Sequence, residues 1–204
     1  MLVPTEEERR GLERAGGFPT DRGALALCGF GPVAAAARTA ALLAELRPER
    51  VLLCGVAGTY DPARLAVGGA SAFGRVAVDG IGAGGASAAA LGFPHWPGDA
   101  ASAPVGDELE LGAGGLLVTA CSASGTREEA RARAERFPGA LAEDMEAFGV
   151  ALACSLARTP LEVVRGASNA CGDRERSRWR VDEALAAARA LALERLRVDG
   201  VRAT

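Results

Sequence analysis

The sequence predicts an α/β sandwich built on a mostly parallel sheet. Three observations carry this. Short apolar runs with the look of buried strands recur along the chain, Ala/Leu-rich stretches of helical length separate them, and Gly- or Pro-bearing turns stand at the junctions. With 204 residues the chain can bury a full core as one domain, 1–204, and it shows no internal repeat or linker.

The elements follow in order. Residues 2–4 read as a short strand. Thr5 then caps a helix whose first turn is acidic, Glu6-Glu7-Glu8. Residues 24–28 form a buried-strand run that ends at Gly29-Phe30-Gly31-Pro32. Residues 33–46 hold no breaker and read as a helix closed by Pro48. A second buried run, 51–54, ends at Gly55-Val56-Ala57-Gly58, and residues 69–78 read as another strand. Residues 80–115, rich in Gly, Pro and Ala, read as a long excursion of loop character. Residues 116–119 resume the sheet. Residues 127–137 make a polar-faced helix stopped by Pro138-Gly139, and residues 145–158 make an apolar one. Residues 161–165 give the last strand and residues 178–197 a final amphipathic helix.

Composition removes whole classes of chemistry. All 23 basic residues are arginine, and without lysine there is no Walker-A phosphate loop and no Schiff-base or pyridoxal-phosphate chemistry. The single histidine, His95, excludes a His-rich zinc site, and a Ser-His-Asp triad would have to use it. A net charge of −3 without a basic block speaks against nucleic acid as a partner. The uncharged stretch 80–98 is too punctuated by Gly and Pro to be a membrane helix. The N-terminus turns acidic at once, unlike a signal peptide. The five cysteines (28, 54, 121, 154 and 171) lie among small residues and form no CxxC. They read as reduced, mostly buried thiols of a cytoplasmic protein.

Four motifs stand where strands or helices end. Gly29-Phe30-Gly31 resembles the start of a dinucleotide-binding turn, but Ala34 fills the third glycine position, and a plain tight turn fits better. Gly55-Val56-Ala57-Gly58 reads either as a packing turn or as the floor beneath a flat ligand. In Glu143-Asp144-Met145-Glu146-Ala147, Glu146 falls inside an apolar pattern. A carboxylate there can accept two hydrogen bonds from a vicinal diol, with Met145 as a soft apolar neighbour; an ordinary helix start fits equally well. The stretch Arg165-Gly166-Ala167-Ser168-Asn169 carries the only asparagine at the carboxyl end of a strand, where open α/β sheets bind ligands. Its amide offers both a donor and an acceptor, which suits a 6-oxopurine.

Taken in order, these segments resemble the purine nucleoside phosphorylase/nucleosidase superfamily over nearly the whole chain. Thr5-Glu6-Glu7-Glu8, Gly29 to Ala36, Gly55 to Gly58, Leu65 to Gly69, Phe137 to Ala140, Glu143 to Ala147 and Arg165 to Asn169 carry the resemblance. Within it the pattern is most similar to the futalosine hydrolases, through Gly172-Asp173-Arg174 and Ser177-Arg178-Trp179, and next to the methylthioadenosine/S-adenosylhomocysteine nucleosidases. The resemblance implies a three-layer α/β/α sandwich around a twisted mixed sheet, a homo-oligomer of two or more copies, and no cofactor or metal. It implies Glu8 as the base that activates water and Met145 and Glu146 as the ribose pair. Asn169 stands where adenine-releasing relatives carry Asp. Val56, Ala57 and Gly58 fall behind sugar and base, and Thr119, Ala123, Ser124 and Ser168 along the base, with Ala123 in place of an aromatic. Leu53 stands where hexameric phosphorylases hold phosphate with an arginine, so water is the implied nucleophile and a purine nucleoside the implied substrate. The implied activity is release of hypoxanthine from futalosine in menaquinone biosynthesis. The alternatives are a methylthioadenosine/S-adenosylhomocysteine nucleosidase, a 6-oxopurine nucleoside phosphorylase and a non-catalytic Rossmann-type module.

Overall fold

The computed structural model describes residues 1–19, 23–83, 86–87 and 108–198. His95 and Trp96, singled out in the long excursion, lie outside them. The strands are β1 (Leu2–Val3), β2 (Ala26–Leu27), β3 (Val51–Thr59), β4 (Ala70–Asp79), β5 (Gly82–Ala83), β6 (Ala86–Ser87), β7 (Glu108–Glu110), β8 (Gly115–Ala120), β9 (Ala140–Asp144) and β10 (Leu161–Ala170). The helices are α1 (Glu6–Arg14), α2 (Pro32–Leu46), α3 (Arg127–Arg136), α4 (Ala147–Leu156) and α5 (Val181–Val198).

The sheet is mixed, as expected. β3 runs parallel to β10 and to β1, and antiparallel to β9; β4 runs parallel to β8 and antiparallel to β10 and β7. The pairings β10-β4-β8-β9-β3 return to β10, so five strands close into a ring from which β1 and β2 extend. Side chains on β3 alternate between two cores. Val51, Leu53 and Ala57 pack with Leu42 and Leu43 of α2 and Phe148, Val150 and Ala151 of α4. Leu52, Cys54 and Val56 pack with Leu12 of α1 and Leu185, Ala188 and Ala192 of α5. These are the two outer layers of the sandwich. A third cluster sets Phe137, which follows α3, against Ala77, Leu116 and Val118.

The structure corrects several boundaries. Gly55 to Gly58 is not a turn after β3 but its second half, and residues 166–170 likewise continue β10. Each stretch is too rich in small residues to announce a strand, but they pair with each other from Gly55↔Arg165 to Thr59↔Ala170. Residues 140–144, of which only Glu143 and Asp144 are read from the sequence, as part of a helix start, form β9 between β8 and β3. The helix after it begins at Ala147 rather than 145, with Glu146 at its N-cap. The excursion 80–115 also carries strands: β5 pairs with β6, and β7 pairs with β4.

Candidate active site

β3 borders β10 along its length, but its other edge is shared. β1 meets it at Leu53 and β9 only at Gly58 and Thr59. Between these contacts the strand edge takes side chains instead. The Val56 N–H donates to Glu8 Oε1 at 3.0 Å. Glu8 Oε2 accepts from Thr5 N at 3.1 Å and Thr5 Oγ1 at 2.6 Å, while the Glu8 N–H donates back to Thr5 Oγ1 at 3.2 Å. This reciprocal capping box fixes the start of α1 and the position of the carboxylate together. It also separates Glu8 from its neighbours, since Glu6 pairs outside with Arg9 and Arg10, Glu7 is exposed and Glu8 is buried.

Gly55 lies under this carboxylate. A Cβ there would overlap Arg165 Nη1 and come 2.5 Å from Glu8 Oε1. The glycine is therefore what lets the two charged groups approach. Arg165 is fully buried, on the same face of β10 as Val163 and Ala167. Its Nη2 donates to Asp144 Oδ2 at 2.5 Å and lies 3.4 Å from Glu146 Oε2. Its Nε and Nη1 have no hydrogen-bond partner among the described residues. Burial works against the guanidinium charge, but Asp144, Glu146 and Glu8 outweigh it and hold the group protonated above its ordinary range.

Asp144 and Thr119 secure the start of α4. Thr119 Oγ1 donates to Asp144 Oδ1 at 2.6 Å; the Ala147 N–H donates to Asp144 Oδ2 at 2.9 Å and the Phe148 N–H to Thr119 Oγ1 at 2.9 Å. Two otherwise orphaned N–H groups of the helix are thereby satisfied. Glu146 Oε1 accepts from the Gly31 N–H at 3.1 Å. The turn that resembled a dinucleotide motif, with Gly31 at φ 84°, thus presents its N–H to a carboxylate of the protein itself. Met145, beside Glu146, is half-buried.

Three buried carboxylates face one guanidinium, and the shortfall of positive charge falls on Glu146. Its carboxyl is pushed up from 4.5 to about 7, first by burial; Arg165 opposes this and Asp144 adds to it. The folded pKa lies above the unfolded one, so this group's stabilising contribution is full below pH 4.5 and is lost as pH rises through 7. Glu146→Gln carries no such titration. Equilibrium denaturation is expected to show the variant gaining on wild type as pH rises from about 4.5 to about 7 and then levelling off; a pH-independent difference would contradict the raised pKa.

Asn169 lies one bulge further along β10. The register between β10 and β3 slips between Ala167 and Asn169, which makes Ser168 the extra residue and re-aims Asn169 opposite Gly58. From Val56 to Gly58 is two residues, roughly 7 Å of strand. Asn169 Nδ2 donates to Ala170 O at 2.9 Å and to Asp173 O at 3.3 Å. The Ser168 hydroxyl lies 2.7 Å from Asn169 Oδ1 and 3.2 Å from Ala57 O. The sequence offers this amide as both donor and acceptor. The structure directs both its hydrogens to main-chain carbonyls and sets Oδ1, its acceptor, beside the Ser168 hydroxyl.

The structure gives the other expected residues mixed parts. Thr119 and Ser124 are buried, and their hydroxyls are spent on Asp144 and Glu143. Glu143 also accepts from the Ser124 N–H, Tyr60 and Arg133, and so pins the stretch after β8 on which Ala123 sits half-buried. Leu53 is buried in the core. The sequence reading gave no role to Asp144, Arg165 or Glu143. The available signal was the arginine in the apolar run Leu161-Glu162-Val163-Val164-Arg165, since a buried arginine demands a carboxylate partner.

Four cysteines are buried and Cys121 is exposed; all five are free thiols. No helix among the described residues is long and apolar enough to cross a membrane.

No family model matches the chain. A stretch of 73 residues is 47% identical to futalosine hydrolase of Streptomyces coelicolor, covering 36% of this chain and 31% of that protein. A stretch of 72 residues is 40% identical to futalosine hydrolase of Acidothermus cellulolyticus, covering 35% and 29%. The matched stretches thus span about a third of these relatives' length. Among solved structures, the chain superposes on a methylthioadenosine/S-adenosylhomocysteine nucleosidase of Colwellia psychrerythraea in complex with adenine (TM-score 0.77, 21% identity, 96% of this chain and 92% of that one). It also superposes on futalosine hydrolase of Helicobacter pylori (TM-score 0.74, 16% identity, 97% and 96%). The chain has the nucleosidase fold. The three-layer sandwich with a mixed sheet is borne out, and a Rossmann dinucleotide module is not what these strands build.

Proposed function

We propose that the protein is an N-ribosyl hydrolase that releases hypoxanthine from futalosine and leaves dehypoxanthine futalosine, a step of menaquinone biosynthesis. One observation carries the proposal: Glu8 and Glu146 converge on Arg165 at the open edge of β3, one bulge away from Asn169. The stretches shared with two futalosine hydrolases support the substrate. The absence of an arginine at Leu53 supports water over phosphate as nucleophile.

In this reading Glu146, ionised, accepts hydrogen bonds from the 2′ and 3′ hydroxyls and holds the sugar in reactive geometry, with Met145 along its apolar side. Water attacks C1′ as the bond from C1′ to the purine nitrogen breaks with its electron pair on the base. Glu8 takes the proton from that water. The unpartnered Arg165 Nη1, next to Glu8 Oε1 at Gly55, donates to the same water and orients it. The departing purine carries the electron pair of the broken bond, takes up one proton from solvent and leaves as neutral hypoxanthine, with Asn169 Oδ1 accepting one of its ring N–H groups. Glu8 returns the proton it took from the attacking water to solvent. Val56, Ala57, Gly58, Ala123, Thr119, Ser124 and Ser168 supply the backbone and packing around sugar and base. The substrate is a small purine nucleoside, and the protein works as a homo-oligomer in the cytoplasm.

Incubation with futalosine, inosine and methylthioadenosine, with and without phosphate, tests the proposal. Hypoxanthine release from futalosine without phosphate is expected. Adenine release from methylthioadenosine, or a requirement for phosphate, would overturn it in favour of the related nucleosidases or phosphorylases.

The orientation of Asn169 makes a sharper prediction. Asn169→Asp would set a carboxylate oxygen against the carbonyls of Ala170 and Asp173, where only a donor is tolerated. The acid must then take up a proton or swing away. Steady-state kinetics on futalosine should show kcat/KM lowered by about 10²-fold. Unchanged kinetics would remove Asn169 from base recognition.

A further inference from the structure

Residues 171–179 leave β10 beyond Asn169 and return to it. The Cys171 N–H donates to Thr59 O at 2.8 Å and the Asp173 N–H to Ala170 O at 3.0 Å, and at the far end the Arg180 N–H donates to Ser168 O at 2.8 Å. The Trp179 indole N–H donates to Asp173 O at 3.0 Å, the same oxygen that accepts from Asn169 Nδ2 at 3.3 Å. The loop is thus rooted on the base-recognising amide, and Trp179 is tied to Asn169 through one shared carbonyl.

Two cations converge on that tryptophan. The Arg174 guanidinium lies 5.1 Å from the ring centroid and the Arg176 guanidinium 5.8 Å. Both arginines are exposed, and neither has a carboxylate partner among the described residues. Of the nearby charged groups, Arg178 and Arg180 have carboxylate partners, whereas the Glu175 carboxylate hydrogen-bonds a neutral hydroxyl, that of Ser177. Arg178 reaches Asp173 Oδ2 at 3.5 Å, and Arg180 pairs with Glu183. Two like charges on one ring repel each other, and an anion between them relieves that repulsion. A guanidinium pair beside an indole suits a planar carboxylate on an aromatic ring, which it can meet by charge-assisted hydrogen bonds and by stacking.

We propose that Arg174, Arg176 and Trp179 form the subsite for the carboxylate-bearing aromatic end of the substrate, away from the scissile bond. The inference rests on the hydrolase reading above, in which the substrate is futalosine, whose 5′ side ends in a benzoate. The subsite would make these arginines determinants of specificity between futalosine and plain nucleosides.

The test compares futalosine with its carboxyl methyl ester, which removes the charge and little else, in wild type and in the Arg174→Ala/Arg176→Ala double variant. Hypoxanthine release is the readout. Wild type is expected to prefer the acid over the ester in kcat/KM by about 10- to 100-fold, and the double variant to lose that preference. The preference in wild type should also shrink as salt is raised. If wild type and variant show the same preference, or neither shows one, the subsite is overturned while the hydrolase reading stands. If wild type releases hypoxanthine from neither compound, both fall.

Discussion

Glu8→Gln is expected to lower hypoxanthine release from futalosine by about 10²–10⁴-fold, the range for losing a positioned base, with futalosine still bound. The substitution is nearly isosteric and keeps the residue type that a capping box accepts at its third helical position. The glutamine oxygen can take over the Val56 N–H while its amide group donates to Thr5 Oγ1; the Thr5 N–H and the Thr5 hydroxyl hydrogen lose the acceptor that Oε2 gave them. The stability cost should therefore stay at about 0.5–2 kcal/mol, as for the loss of a helix cap. Steady-state kinetics with a thermal melt on the same sample separates the two effects. A variant that melts near wild type yet turns over at a normal rate would remove Glu8 as the base. Glu7→Gln, one residue away and exposed, is expected to change neither measurement.

The two roles given to Glu8, helix cap in the structure and base in the proposal, show how far the sequence could be read. Thr5 followed by three glutamates announces a helix start, and the chain does cap itself there. That local signal is the same for a structural and for a catalytic carboxylate. What a sequence cannot show is Val56, 48 residues away, whose N–H donates to Glu8 because no strand among the described residues pairs with that part of the edge of β3. The apolar runs likewise announced the first halves of β3 and β10 through Val and Leu. Their second halves are mostly Gly, Ala and Ser, with little strand preference of their own, and are held extended by their pairing with each other. The candidate site sits on those second halves, so sequence periodicity fades where the chemistry begins. β9 was missed for a related reason. Its charged end, Glu143 and Asp144, looks like the first turn of a helix, yet both carboxylates are buried, one clamped by Ser124, Tyr60 and Arg133 and the other by Thr119 and Arg165. Motif order along the chain was legible, and it brought Glu146 and Asn169 forward as candidate site residues. The hydrogen-bonding direction of Asn169 was not, because it is set by the carbonyls of Ala170 and Asp173 after the chain turns back.

Arg165→Met is expected to cost about 3–5 kcal/mol, the usual penalty for removing one partner of a buried ion pair. The methionine fills most of the space, so the loss is electrostatic. Asp144 and Glu146 are left buried without their cation, and Glu8 loses the charge beside Gly55. For a chain of this size each kcal/mol shifts the melting temperature by about 2–4 °C, so a drop of roughly 6–20 °C is expected. The dependence on pH identifies the cause. Carboxylates stranded in this way can neutralise themselves by taking up protons, which restores stability as the solution is acidified. The deficit between variant and wild type should therefore narrow on moving from about pH 8 to about pH 5, whereas a packing defect would keep it constant. Arg165→Lys separates charge from geometry. It keeps a cation in the cluster, so much of the stability should return. A lysine offers a single point charge in place of the planar fork that reaches Asp144, Glu146 and the edge near Glu8 together, and it cannot hold a water against Glu8 in the same way. Recovery of the melting temperature with hydrolysis still depressed about 10²-fold would show that the guanidinium both holds the cluster together and orients the nucleophile. Recovery of both would leave Arg165 with the structural role alone.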